Sequence, residues 1–143
     1  MTIEIATKFL NDHHKGVFSV LDKEGAPSSS LLHYAIDEDL NIYIGTKKSF
    51  GKYAALRSDP RISMAVVEES ADPLRVADMQ GKAEEIPAEE TTKLYEWFQS
   101  KNPQKHYVKD AEDFVMFRIK PTTLRFMDAS SGELKITDLI GRQ

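Results

Sequence analysis

Cysteine is absent from the 143 residues, which removes disulfides, thiol nucleophiles and Cys-ligated metal centres from consideration. No run of about 18 apolar residues occurs, and the N-terminus lacks an apolar stretch with a cleavage site, so neither a membrane span nor export is expected. Cytoplasm is the default. Positive charge is not in surplus: 19 Lys and Arg stand against 23 Asp and Glu, a formal net charge of -4, and the pI is near 5.6. Such a chain does not work mainly on nucleic acid, because phosphate backbones reward concentrated cations. Also missing are the glycine patterns of dinucleotide folds and P-loops, a nucleophile elbow and a metalloprotease helix. The paired His13 and His14 have no third ligand in view, and adjacent residues rarely converge on one ion, so no metal is expected.

What is present is a folded composition, 41% apolar and 29% charged, in one domain over residues 1–143 that is long enough for a core without staples. Ile3, Ile5, Ala6, Phe9 and Leu10 share one side of a short helix that ends near His13-His14-Lys15-Gly16. Val17 to Leu21 alternates as a strand, Asp22 to Pro27 is a turn, and Ser28 to Ile36 resumes the strand. Serines at Ser28, Ser29 and Ser30 form a poor core, so this strand sits at an edge or lines a polar pocket. Asp37-Glu38-Asp39 turns into a third strand through Leu40, Ile42 and Ile44. Arg61 to Val67 reads as a buried fourth. Leu74 to Ile86 is a long strand with a bulge or bend at Gly81. Pro87 opens a helix over Ala88 to Lys101, with Thr91, Leu94, Tyr95 and Phe98 on its stripe, Trp97 off it, and Asn102-Pro103 stopping it. Phe114 to Ile119, an interruption at Lys120 to Thr123, Leu124 to Met127 and Glu133 to Leu139 complete the strands. The class is mainly β (α+β), a barrel or sandwich.

One stretch carries chemistry. Ile42 to Arg61 runs strand, cationic turn, helix, stop: Tyr43-Ile44 closes the strand, Gly45-Thr46-Lys47-Lys48-Ser49-Phe50-Gly51-Lys52 is rich in hydroxyls and ammonium groups, and Tyr53 to Leu56 is helical until Asp59-Pro60. Unpaired N–H groups at a helix start, with lysines beside them, can hold a phosphate. A solvated loop would look the same locally.

Four segments in order, GxFSVxDxxGxPxSSLLHY, LNIYIGTKKSFGKYAALRSDPRISMAV, MQGKAE and FVMFRIKPTTLRFMD, resemble the pyridoxamine 5'-phosphate oxidase-like proteins, the FMN-binding split β-barrels. The resemblance spans about Ile3 to Leu139. It implies a six- to seven-stranded antiparallel split β-barrel with flanking helices, and a homodimer with FMN in each of two clefts at the interface. By position, Thr46, Lys47 and Lys52 match the turn holding the FMN phosphate, with Ser49 as a helper. Ser29, Ser30 and Leu31 match the segment passing the isoalloxazine ring, and Gln80 a polar position facing the flavin. Trp97 and Arg125 match residues approaching from the partner chain.

The chain also departs from the family pattern. Phe50 and Gly51 replace a serine and a basic residue before the lysine matched by Lys52. The C-terminal tryptophan and arginine–histidine signature is replaced by Arg125-Phe126-Met127-Asp128, which ranks vitamin B6 oxidation behind a general stress protein-like or flavin reductase-like role. The expected function is an FMN-dependent oxidoreductase, passing hydride between flavin and a small molecule such as a nicotinamide donor, with no catalytic side chain assigned. The alternative is a flavin- or haem-binding carrier or sensor without turnover, with His13, His14, His33 or His106 as haem ligand. Deazaflavin is a variant of the first.

Overall fold

Aspartate, glycine and tyrosine set the corners of this fold. The computed structural model describes residues 2–68, 70, 72–102 and 112–141. The remaining positions, which include part of the turn expected after Glu68, the helix-stopping Pro103, and His106, lie outside the described residues. The elements are α1 (Ile3–Asp12), β1 (Lys15–Leu21), β2 (Pro27–His33), β3 (Ala35–Ile36), β4 (Ile42–Lys47), α2 (Gly51–Ser58), β5 (Arg61–Val67), β6 (Arg75–Glu85), α3 (Ala88–Lys101), β7 (Phe114–Asp128) and β8 (Lys135–Ile140). In the β1–β2 turn, Asp22 Oδ1 accepts the N–H groups of Glu24 and Ala26, each at 2.9 Å. Gly25 there takes a positive φ of 79°, which costs glycine nothing.

All strands pair antiparallel in the order β2-β1-β5-β6-β7-β4-β3, with β8 added on β7. Among the described residues this makes eight strands rather than six or seven, in a curled half-barrel. The extra strand arises at Tyr34, where the expected Ser28–Ile36 run breaks. Tyr34 donates its N–H to the His14 carbonyl and its hydroxyl to the Leu10 carbonyl, while Asn102 Nδ2 donates to the Tyr34 carbonyl at 2.7 Å. Burial of the ring pushes its phenol pKa up. Each such buried bond stabilises by about 0.5–1.5 kcal/mol. Because β2 and β3 lie at opposite ends of the strand order, this one residue joins the sheet's two edges.

β7 runs unbroken through Pro121, against the expected interruption. Gln80 pairs with Thr123 and Gly81 with Pro121, so Thr122 is the extra residue of a bulge. A bulge needs no N–H at its proline, and β7 therefore continues. A Cβ on Gly81 would lie 2.5 Å from the Lys120 carbonyl oxygen, which explains the glycine.

The inner sheet face carries Phe18, Val20, Ile42, Ile44, Ile62, Met64, Val66, Phe117, Ile119, Leu124 and Phe126, closed by Ala6, Phe9 and Leu10 of α1 and by Ala55 and Leu56 of α2. Ile3 and Ile5 stay 37% and 46% exposed, so the α1 stripe is shorter than expected. β5 is buried on this face only; Ser63 and Ala65 remain half-buried opposite. A second cluster forms where α3 covers β4 and the first half of β7, through Tyr43, Tyr95, Phe98, Phe114 and Met116. Fully burying one such side chain contributes about 1.5–3 kcal/mol.

Candidate functional site

The two sheet edges meet at Tyr34 and part beyond it. β3 pairs with β4 as Ala35↔Tyr43 and Ile36↔Ile42. Carrying that register backwards would set Leu31 opposite Lys47 and Ser29 opposite Ser49. β2 instead pairs with β1 alone, so a seam opens between the Ser29–Leu31 segment and the Thr46–Ser49 turn. An edge strand leaves half its N–H and C=O groups unpaired, and these face the seam.

Thr46, next to the last residue of β4, has its side chain directed inward, on the same face as Ile42 and Ile44. It is 2% exposed, and its Oγ1 is buried without a hydrogen-bond partner among the described residues. A buried hydroxyl without a partner costs about 1–3 kcal/mol. Further along the turn, α2 starts at Gly51 behind Phe50, whose side chain makes no cap, so the first N–H groups of α2 lack a side-chain acceptor. Lys47 and Lys52 each place Nζ 5.8 Å from the Phe50 ring centroid, and neither makes an ion pair among the described residues. Phe50 is 48% exposed and is approached by both ammonium groups. The sequence marked Phe50 as a departure from the family pattern but gave it no part in the site, although an exposed aromatic in a lysine turn is itself a signal.

The other expected residues divide among three places. Ser30 faces inward, half-buried and opposite Phe18. Ser29 lies on the outer sheet face, its hydroxyl 2.7 Å from that of Ser19. Leu31 is also outward and 64% exposed. Ser49 borders the seam, but its hydroxyl donates to Asp113 Oδ2 at 2.8 Å, which brings an acid to the rim. Gln80 is outward on β6, its backbone N–H bonded to Thr123 Oγ1 at 3.1 Å. Arg125 is outward on β7, its Nε donating to Asp138 Oδ1 at 2.8 Å. Trp97 packs edge-on against Tyr43 at 5.3 Å, far along β4 from the turn. Ser30, Thr46, Lys47, Ser49 and Lys52 therefore border the seam, Leu31 with its backbone only; the side chains of Ser29, Leu31, Gln80 and Arg125 share the outer face.

The histidines are arranged otherwise. His13 Nδ1 lies 2.7 Å from the Phe9 carbonyl and Nε2 3.4 Å from Glu68 Oε1, so both ring nitrogens have partners. His14 is exposed and His33 half-buried. Among the described residues no three His, Cys, Asp or Glu side chains cluster to hold a metal.

The half-open antiparallel barrel defines a split-barrel protein, whose seam, among the described residues, borders a buried hydroxyl without a partner, a helix start without a side-chain cap and two lysines without an ion pair. The family model described as pyridoxamine 5'-phosphate oxidase matches residues 3–128, and the chain belongs to that family. No curated protein matches the sequence. Solved structures share the fold. A putative pyridoxamine 5'-phosphate oxidase from Listeria innocua is 18% identical over 86% of this chain and 95% of its own, with a TM-score of 0.71. A heme binding protein from Mycobacterium smegmatis is 20% identical over 87% of this chain, which spans 52% of that protein, at 0.72. An F420 reductase is 19% identical over 78% and 88%, at 0.66.

Proposed function

We propose that the chain binds FMN along the seam and acts, as a cytoplasmic homodimer, in oxidoreduction of a small molecule. The observation that carries this is the buried Thr46 Oγ1, which has no partner among the described residues, near a helix start without a side-chain cap and two ammonium groups that make no ion pair among those residues. A phosphate monoester satisfies all three at once: it accepts from the hydroxyl and the N–H groups, and its charge is met by Lys47 and Lys52. Each charge-assisted contact contributes about 1.5–3 kcal/mol. The Ser49–Asp113 bond opposes this by placing a carboxylate at the rim, which leaves Lys52 and Thr46 as the principal phosphate contacts.

When bound, the flavin supplies the hydride-accepting ring. Ser30 and Leu31 offer unpaired backbone groups of an edge strand to ring nitrogens and oxygens, and Phe50 keeps water from the phosphate side. Gln80, Arg125 and Ser29 lie on the outer face and reach a flavin only from a second chain. That second chain has a place to sit. Val17 and Leu31 pair across β1 and β2, and Val67, Val76, Met127 and Ile136 form a row across β5 to β8. Among these Val17, Leu31, Val67 and Ile136 are 44%, 64%, 47% and 57% exposed, an apolar surface that a second copy would bury.

Mass spectrometry of the small molecule that copurifies, run with size-exclusion chromatography and an absorbance spectrum, tests the proposal. FMN with a two-band flavin spectrum on a dimer is expected. A Soret band would replace it with the haem carrier, a single shifted band with deazaflavin, and a monomer at micromolar concentration would remove the shared cleft.

A further inference from the structure

Asp113 stands where an anion site has least use for a carboxylate. Lys47 pairs with Phe114 across β4 and β7, and the Lys48 N–H donates to the Asp113 carbonyl at 2.7 Å, so the sheet register itself carries Asp113 to the turn before α2. Its Oδ2 accepts the Ser49 hydroxyl at 2.8 Å. A hydroxyl has one proton to give. Ser49 therefore has none left for a phosphate, although it stands one position from where the family pattern puts a serine.

The charge of Asp113 is not cancelled on the spot. Three lysines share the turn, yet among the described residues none of Lys47, Lys48 and Lys52 makes an ion pair with it. Lys47 and Lys52 instead hold Nζ at 5.8 Å from the Phe50 ring centroid, within reach of a cation–π contact. Phe50 and Gly51 occupy the positions of the family's serine and basic residue, so the turn has an aromatic face and a carboxylate where the pattern has a hydroxyl and a cation. A negative charge near a helix N-terminus is favourable, which suits Asp113 to its place in the fold. It is the same place that a phosphate would use.

We propose that Asp113 is a specificity-determining residue of the seam, a built-in negative charge that opposes the second charge of a phosphate monoester and shifts the preference of the turn towards singly charged phosphodiesters. The inference rests on the flavin reading and concerns the charge class of the ligand. Coulomb repulsion scales with the product of the charges, so a dianionic monoester meets twice the opposition that a diester meets, and an uncharged flavin meets none. Through Ser49, Asp113 also withholds the turn's second hydroxyl, which leaves Thr46 as the one available.

Flavin fluorescence titration of the full-length protein at about pH 8, where a phosphate monoester with a second pKa of about 6 is a dianion, would compare FMN, its phosphate methyl ester and riboflavin. The three share the ring and ribityl chain and differ in charge. Asp113→Asn, whose amide oxygen can still accept from Ser49, should raise FMN affinity about tenfold, that of the methyl ester about threefold and that of riboflavin not at all, with urea unfolding unchanged. Asp113→Glu keeps the charge while displacing the Ser49 bond and should give none of that gain. High salt should remove most of it. An equal gain for all three flavins, the same gain from Asp113→Glu, or FMN binding that weakens on Lys52→Ala yet ignores Asp113→Asn would each overturn the proposal and leave the seam reading standing. FMN binding that ignores both Lys52→Ala and Asp113→Asn, or no flavin bound at millimolar concentration, would remove the phosphate from this turn, and the seam reading would fall with the proposal.

Discussion

Two cationic regions of this protein are built in opposite ways. Lys47, Lys48 and Lys52 lie within six consecutive residues and are displayed by one strand-to-helix turn. Arg61, Lys82 and Lys120 come from three strands and become neighbours only through sheet register. The first set borders a buried hydroxyl and an uncapped helix; the second borders an open groove of about 430 Å³ beside the Gly81 bulge. Local sequence can make an anion cradle from a helix start, but a row of like charges exists only once the fold has formed.

The sharpest way to separate the two regions is through their glycines. A Cβ on Gly81 would meet backbone at 2.5 Å, whereas one on Gly51 would meet nothing within 4 Å. Gly81→Ala should cost about 2–3 kcal/mol in urea unfolding and close the groove, since β6 must retreat from β7. Gly51→Ala should leave stability the same or slightly higher, as an alanine in a first helical turn costs little. Equal effects at the two sites would mean that the bulge is not under the constraint described.

Lys52→Ala comes next, with an expected loss of about tenfold to a hundredfold in FMN affinity and little change in folding. Riboflavin carries the same ring without the phosphate and should be spared. Equal weakening of both ligands would show that Lys52 does not contact the phosphate. No change in either would make the turn a solvated loop.

How much of this was legible follows the same division. β5 spans Arg61 to Val67 and α3 spans Ala88 to Lys101 as expected, because each has its own period and its own stop. Gly81 was expected at a bulge for the same reason. Tyr34 was not expected to break a strand: its three anchors, His14, Leu10 and Asn102, come from two distant segments. Pro121 was read as an interruption because the sequence does not show that β6 supplies a matching bulge. Of the candidate residues, Thr46, Lys47 and Lys52 followed from the resemblance and the strand–turn–helix order, whereas the engagement of Ser49 by Asp113 and of Arg125 by Asp138 depends on contacts between separate segments.

Thr46→Val separates ligand from fold by sign. Valine keeps the shape and removes an Oγ1 that has no partner among the described residues, so the protein without ligand should hold its stability or gain up to about 1 kcal/mol. FMN affinity should fall about five- to tenfold, since one hydrogen bond to a charged group is lost. A thermal-unfolding series with and without FMN reads both. If stability falls and FMN is unaffected, the hydroxyl serves the fold and not the phosphate.

The smallest expected effect lies between the two regions, at Asp59, which caps the end of α2 and holds Arg61 of the groove. The Arg61 guanidinium, through its side-chain hydrogen bonds, pulls the Asp59 carboxyl down to about 2 from an ordinary 3.8. Asp59→Asn keeps the side-chain shape but removes the charge that Arg61 bonds and that Lys82 faces through space, and should leave FMN affinity unchanged. The same variant has an acid signature with a fixed sign. A carboxyl whose folded pKa is depressed stabilises above its unfolded value and loses that contribution as pH falls through the folded one. The wild type should therefore lose stability more steeply than Asp59→Asn between the ordinary carboxyl range and about pH 2. Parallel acid slopes would mean that the Asp59–Arg61 contact is not held in solution, and a gain in FMN affinity would mean that the two cationic regions share one field.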